Sequence, residues 1–312
     1  MRYSKWQEEQ EQEGKQTDCT NGLEGLLESL LSLIVIMLFR LRMPIDAAIR
    51  AYVQIGKRVF SKKDRSPELE SAVVRTLSLE KKTLMWEPEF SRLTNSKAYV
   101  PLIFLIHSRN VYSLSNCSFV CAGRKSNVAN PIHFPTWESK DQKFKRVNCT
   151  IVEAICATCA TPNIFQDTSI TEEPQADTRP IQYTGADLRW NNPVLDVWEE
   201  AKAAFTSSNI SHIVSIGTGA TEIVERHSDL SKTLMDIAKD CEKEYEEAAR
   251  LLLEEVPRIK FIRLNVQQGL QTMEWETQEY GDIKVHTEAY LQEKEVDKKL
   301  DDIVTAHLEA AK

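Results

Sequence analysis

Three groupings in this chain have residue types and spacings that could do chemistry. The first is Gly217-Thr218-Gly219, which closes the apolar run His212–Ile216. A glycine-bearing loop after a strand exposes backbone N–H groups and could hold a phosphate. No Lys-Ser/Thr pair follows, so the residues favour a tight turn at a strand end. The second is Cys156-Ala-Thr-Cys159, with the spacing of a redox or zinc pair. No second Cys/His pair stands at ligand spacing, so the two cysteines read as small residues on a buried helix. The third is the basic cluster Lys57, Arg58, Lys62, Lys63 and Arg65. It reads as a solvated helix end, with contact to anionic lipid headgroups as the sharper alternative. The six histidines, His107, His133, His212, His227, His286 and His307, show no metal-ligand spacing, and no metal or cofactor is expected.

The elements that must position these residues follow from periodicity. Helices are expected over Gly22–Met43, Ile45–Phe60, Glu68–Glu80, Thr150–Cys159, Val194–Phe205, Leu230–Glu254 and Thr287–Leu308. Strands are expected over Cys117–Gly123, Pro131–Phe134 after a turn at Asn130-Pro131, His212–Ile216 and Lys260–Val266. Gln166–Arg179 reads as a polar loop, and residues 83–116 carry no clear period. Helices and strands interleave, which predicts an α/β fold with helices on a mostly parallel sheet. Residues 1–20 are polar and read as a disordered tail, leaving 21–312 as one domain.

Bulk composition narrows the classes. The chain has 312 residues, 42% of them hydrophobic, which is enough for a real core. Its formal net charge of -8 lacks the basic field of a nucleic-acid binder. The opening Met1–Gly14 is charged and Gln/Glu-rich and does not read as a secretory signal. With seven cysteines, an odd count, this predicts a reducing, cytoplasmic setting without structural disulfides. Leu26–Phe39 is the most apolar run, and it is too short to span a bilayer. It is expected to be a buried core helix.

Four segments, in order, resemble fungal patatin-like phospholipase domains. Leu33–Met43 with its continuation Asp46–Phe60 resembles the helices after the nucleophile. Phe119–Ala122, Ser126-Asn127 and Cys149–Pro162 resemble the central strands and the helix before the aspartate loop. Trp190-Asn191-Asn192-Pro193 with Val214–Gly219 resembles that loop and the next strand. Arg263–Val266, Gly269-Leu270, His286-Thr287 and Tyr290-Leu291 resemble the closing part. The resemblance implies a three-layer α/β/α fold and lipid acyl hydrolysis by a Ser–Asp dyad without a metal. The implied partner is a lipid acyl ester or membrane-surface lipid, reached from the cytoplasm or peripherally at a membrane.

Mapped residue by residue, the resemblance gives Ser29 as nucleophile and Asp187 as base. Gly22 and Gly25 stand as the remnant of the oxyanion loop, and Gly185, Asn191, Asn192 and Pro193 as the aspartate loop. The chain departs from the pattern at three places. It has no Gly-x-Ser-x-Gly elbow, because Ser29 lies between Leu27-Glu28 and Leu30-Leu31. Glu24 replaces a usual basic residue in the remnant loop. Gly185 falls at the aspartate position, two residues before Asp187, and Arg189 replaces a usual glycine. If the remnant loop and the following helix are aligned separately, they meet near Leu30 and the N-terminal core strand and elbow are missing. The alternative is therefore a catalytically inactive patatin-like domain that binds lipid or a protein partner, or a truncated gene product.

Overall fold

The computed structural model describes residues 32–79, 82–85, 118–136, 147–162, 164–172, 179–186, 192–204, 210, 212–219, 228–238, 240–255, 259–268, 270 and 280–310. The expected tail over 1–20 and the missing elbow near Leu30 lie outside these residues.

The first element, α1, is helical over residues 32–35 and widens into a π-turn at Ile36–Arg40. Leu33, Ile36 and Met37 are fully buried, so the described part of the apolar run, residues 32–39, is helical and in the core. Among the described residues no helix is long and apolar enough to cross a membrane. The wide turn brings Arg40 inward, where its Nε donates to the Met85 carbonyl at 2.7 Å and its Nη2 to the Leu84 carbonyl at 2.8 Å. Helices α2 (Ile45–Phe60) and α3 (Arg65–Thr76) follow. The apolar face of α2 is Ala48, Tyr52, Ile55 and Val59, spaced as a helical stripe and buried against α1 and α3.

Strands β1 (Phe119–Arg124) and β2 (Asn127–Pro135) form a hairpin. The expected turn at Asn130-Pro131 is not where the chain reverses. The reversal is at Lys125-Ser126, and Pro131 sits inside β2 opposite Gly123. β2 is the edge strand of its sheet, where a missing N–H leaves no ladder bond unmade. Helix α4 (Ile151–Thr158) opens with a capping box between Thr150 and Glu153. Beyond it, β3 (Thr168–Ile170) and β4 (Ile181–Gly185) complete a sheet of order β2-β1-β4-β3. Part of the expected polar loop over Gln166–Arg179 is thus a strand. It is short and half polar because only Ile170 turns into the core.

Helix α5 (Val194–Ala204) leads to β5 (His212–Ile216). The single long helix expected over Leu230–Glu254 is two, α6 (Leu230–Ala238) and α7 (Cys241–Glu255). Asp240 makes the break, its Oδ1 accepting the backbone N–H groups of Glu242 and Lys243 as an N-cap does. β6 (Lys260–Leu264) pairs parallel with β5. The terminal helix is also two, α8 (Tyr280–Leu291) and α9 (Lys294–Ala310).

The fold is therefore mixed α/β, as expected. Its pairing differs from the mostly parallel sheet expected from the interleaving of helices and strands. Among the described strands, β5 with β6 is parallel, while β1 with β2, β1 with β4 and β3 with β4 are antiparallel. The two-residue reversal at Lys125-Ser126 allows nothing else for the hairpin, since a parallel partner needs a long crossover. The main core lies between α1, α2, α3, α4 and the four-stranded sheet, and a smaller one lies between α5, α7 and the parallel pair.

Candidate functional site

Gly22, Gly25, Ser29, Asp187 and Asn191 lie outside the described residues. The structure places the flanks of that site and the remaining members of the loop. Both flanks reach one spot, the carboxyl end of α4. The Thr158 hydroxyl donates to the Cys121 carbonyl at 2.6 Å, which spends its proton. Ser32 Oγ, at 2.9 Å, is then the donor to Thr158 Oγ1. Two residues on, the Ala160 carbonyl accepts the Gly185 N–H at 2.9 Å and the Thr184 hydroxyl at 3.1 Å. The start of α1 and the end of β4 are thus pinned to the same turn. Small side chains make this possible, because Ala157, Cys159 and Ala160 are fully buried and let both segments come close.

The loop's far end is fixed differently. Asn192 is buried, with its Nδ2 donating to the Cys241 carbonyl at 3.1 Å. Its Oδ1 accepts from Ser215 Oγ at 3.3 Å, in the middle of β5. Pro193 directly precedes α5, and its carbonyl accepts the Val197 N–H at 3.0 Å. Proline suits that place, since its fixed φ fits a first helical turn and its missing N–H costs nothing there.

Ser215 leads into a buried polar chain. Arg263 Nη1 donates to Ser215 Oγ at 2.8 Å. Its Nε and Nη2 reach Glu242 Oε1 at 3.0 and 2.5 Å. The same carboxylate oxygen accepts Asn265 Nδ2 at 2.7 Å. Asn265 Oδ1 in turn accepts the Gly219 N–H at 2.7 Å, and its own N–H donates to the Tyr290 hydroxyl at 3.0 Å. Burial pushes the Tyr290 phenol above its ordinary value, with that N–H opposing the rise.

These bonds hold Gly217-Thr218-Gly219 against the ends of β5 and β6. A Cβ on Gly217 would lie 2.4 Å from Asn265 Oδ1 and 2.7 Å from Arg263 Nη2, so glycine is required by space. Gly219 has φ +132°, a conformation that L side chains rarely adopt. The loop is a strand-end turn at the carboxyl edge of a parallel pair, where α/β folds carry their working groups.

The sequence did not single out Glu242, Arg263 and Asn265 as a network. A signal exists, since Ser215 and Arg263 are polar residues flanked by apolar neighbours, Val214 and Ile216 on one strand and Ile262 and Leu264 on the other. A buried guanidinium demands partners, and these are its partners.

The Cys156–Cys159 pair sits at the end of α4 as expected of a core helix. Burial pushes the Cys156 thiol up to about 12, with Glu70 and Glu153 adding to the rise. Burial also raises the Cys121 thiol well above its ordinary value, with Asp196 adding to the rise. Neither environment suits a nucleophile, which needs a stabilised thiolate. Among the described residues no group of three or more His, Cys, Asp or Glu is placed to hold a metal ion. His133 is buried, packing edge-on to Phe119 with ring centroids 5.0 Å apart, and its Nε2 is 3.7 Å from Asp196 Oδ2. No family model matches the chain, and no curated protein matches it.

Proposed function

We propose that this chain carries the architecture of a patatin-like lipid acyl hydrolase, with Ser29 as its nucleophile and Asp187 as its base. One observation supports this reading best, the shared anchor at the end of α4. Ser32 is held on Thr158 and Gly185 on Ala160. Ser29 is three positions before Ser32 and Asp187 two after Gly185. A chain spans at most ~3.3–3.6 Å per residue, so both candidates are tethered to one turn by roughly 11 and 7 Å of backbone. In the reaction, the serine oxygen attacks the ester carbonyl and its proton passes to the aspartate. The leaving alcohol takes that proton, and water then releases the acyl group.

The departures from the family pattern bear on rate. Leucines in place of elbow glycines oppose the sharp turn that exposes a serine. A reduced oxyanion loop matters as well, since one lost donor costs on the order of 10²–10³ in rate. The glycine-free run Leu27–Leu31 favours a second reading, a patatin-like domain that binds lipid or a protein partner without turnover.

Hydrolysis of p-nitrophenyl butyrate separates the two. The hydrolase reading expects slow turnover that vanishes in both Ser29→Ala and Asp187→Asn. A wild-type protein that is folded by circular dichroism and shows no turnover would leave the binding domain as the function.

A further inference from the structure

The main apolar face of α2 is buried, yet the helix carries a second apolar row. Ile45, Ile49 and Val53 are spaced four apart, and Ile45 and Ile49 are 52% and 54% exposed. Residues four apart lie along one ridge of a helix. The next position of that ridge is Lys57, and the neighbouring ridge is Arg50, Gln54 and Arg58. The two ridges share a shallow, open depression lined by Ile49, Arg50, Val53, Gln54, Lys57 and Arg58.

The charge around the depression opposes that of the whole chain. Residues 45–65 hold six basic side chains, Arg50, Lys57, Arg58, Lys62, Lys63 and Arg65, against two acidic ones, Asp46 and Asp64. The local balance of +4 stands on a chain of net charge -8. Arg58 is committed to Glu68, and Arg65 lies over the Phe60 ring at 5.2 Å. Arg50, Lys57, Lys62 and Lys63 are exposed.

We propose that the exposed Ile45 and Ile49 row, continued by the half-buried Val53, with Arg50 and Lys57 on the same helix and Lys62 and Lys63 just past its end, is a docking surface for an anionic lipid membrane. An apolar row enters the boundary between headgroups and acyl chains, while cations beside it meet lipid phosphates and carboxylates. A neutral partner would leave the exposed Arg50, Lys57, Lys62 and Lys63 unmatched, and a nucleic acid would make no use of two exposed isoleucines. The choice of lipid as occupant rests on the hydrolase reading, but the surface can be tested without turnover.

The test is sedimentation of the full chain with vesicles of phosphatidylcholine alone and with about one third phosphatidylserine. The expected result is binding to the anionic vesicles, weakened at high salt as surface charge pairs are. Each removed cation is worth about fivefold, so Lys62→Ala with Lys63→Ala should lose roughly twenty-five-fold. Ile49→Ser should weaken binding without changing its salt dependence. All three positions are exposed, and circular dichroism confirms that the variants fold. Equal binding to both vesicle types, or anionic binding untouched by all of these substitutions, would overturn the proposal. Ser29→Ala should bind as wild type. Binding with no turnover would uphold the surface and sink the hydrolase reading, and turnover on the soluble ester with no vesicle binding would do the reverse.

Discussion

Around α1 and α4 the fully buried side chains are almost all apolar, whereas around β5 and β6 a chain of polar groups runs from Asn192 to Tyr290. The first region packs Leu33, Ile36, Met37, Ile55, Leu69, Phe134, Ile151 and Ile155 into one cluster. The second has a smaller apolar cluster around Val194, Trp198, Ile213 and Leu252 and adds the Ser215–Arg263–Glu242–Asn265 bonds. Apolar burial is non-directional and depends mainly on area and volume. Hydrogen bonds from a fixed guanidinium fork are directional and specify one arrangement. The difference teaches that one region supplies stability and the other supplies the position of a loop.

Truncation should expose that contrast first. Phe134 is fully buried and meets the Tyr183 ring edge-on at 5.4 Å. Phe134→Ala is expected to cost about 3–5 kcal/mol in urea unfolding, and Phe134→Leu only about 1 kcal/mol, because volume is nearly kept. Arg263→Met should cost about 2–4 kcal/mol, since it removes the donor to Ser215 Oγ and leaves the Glu242 carboxylate without its cation. Glu242 is 30% exposed, so water partly relieves that loss. The conservative pair decides the matter. Arg263→Lys keeps the charge but cannot span Ser215 and Glu242 together, and it should recover less than half of the loss. If Arg263→Lys is as mild as Phe134→Leu, the second region is held by charge or volume and the comparison fails.

Gly217→Ala sharpens it. The added methyl would sit 2.4 Å from Asn265 Oδ1, so the amide or the loop must move. The expected cost is about 1–3 kcal/mol. Heteronuclear spectra should show shifts at Gly219 and Asn265 while amides of α2 and α4 stay in place. Shifts that spread into α4 would mean that the two regions are one cooperative core.

The same division explains what the sequence revealed. The apolar region was legible because periodicity reports burial directly. Leu33–Phe39, the Ala48–Val59 stripe and the small residues of Thr150–Cys159 all fell where they were expected. The short strands β3 and β4 were not legible, since three to five half-exposed residues show no period. The break at Asp240 was hidden because apolar spacing resumes beyond it, and only the cap bonds mark it. Of the site, Asn192 and the Gly217–Gly219 turn were legible by type. Their partners Glu242 and Arg263 come from a distant helix and strand, and nothing in one chain's linear pattern pairs them.

Alkali should strain the apolar region more than the polar one. Burial raises the Cys156 thiol to about 12, and it raises Cys149 too, with Glu153 and Glu172 adding to the effect. In the unfolded chain both titrate near ~8.5. Above that pH the unfolded state loses protons that the folded state keeps, so unfolding becomes easier as pH rises. The stabilisation is complete below ~8.5 and is lost as pH climbs toward the folded value, at about 1 kcal/mol per pH unit for each thiol. Urea midpoints should fall between pH 8.5 and 9.5, and Cys156→Ala should reduce the slope. Native Cys159, fully buried at the end of α4, should resist iodoacetamide at pH 8. Rapid alkylation of the folded protein would show that α4 opens, and the anchor at its end would then be a poor support for a site.

The smallest effect tests the one directional device in the apolar region. Thr150 Oγ1 accepts the Glu153 N–H at 3.1 Å, and Glu153 Oε2 accepts the Thr150 N–H at 2.7 Å. Thr150→Ala should cost about 1 kcal/mol, the usual worth of such a cap, and Thr150→Ser should restore most of it. The start of α4 is also held by backbone bonds from Met85 to Cys149 and from Ile151 to Thr83. The helix therefore keeps its place when the cap is lost, and the Ser32 and Gly185 contacts at its other end should be unchanged. A loss of several kcal/mol would mean that α4 is set by its cap rather than by its buried face. The contrast between a region held by packing and one held by bonds would then be a matter of degree.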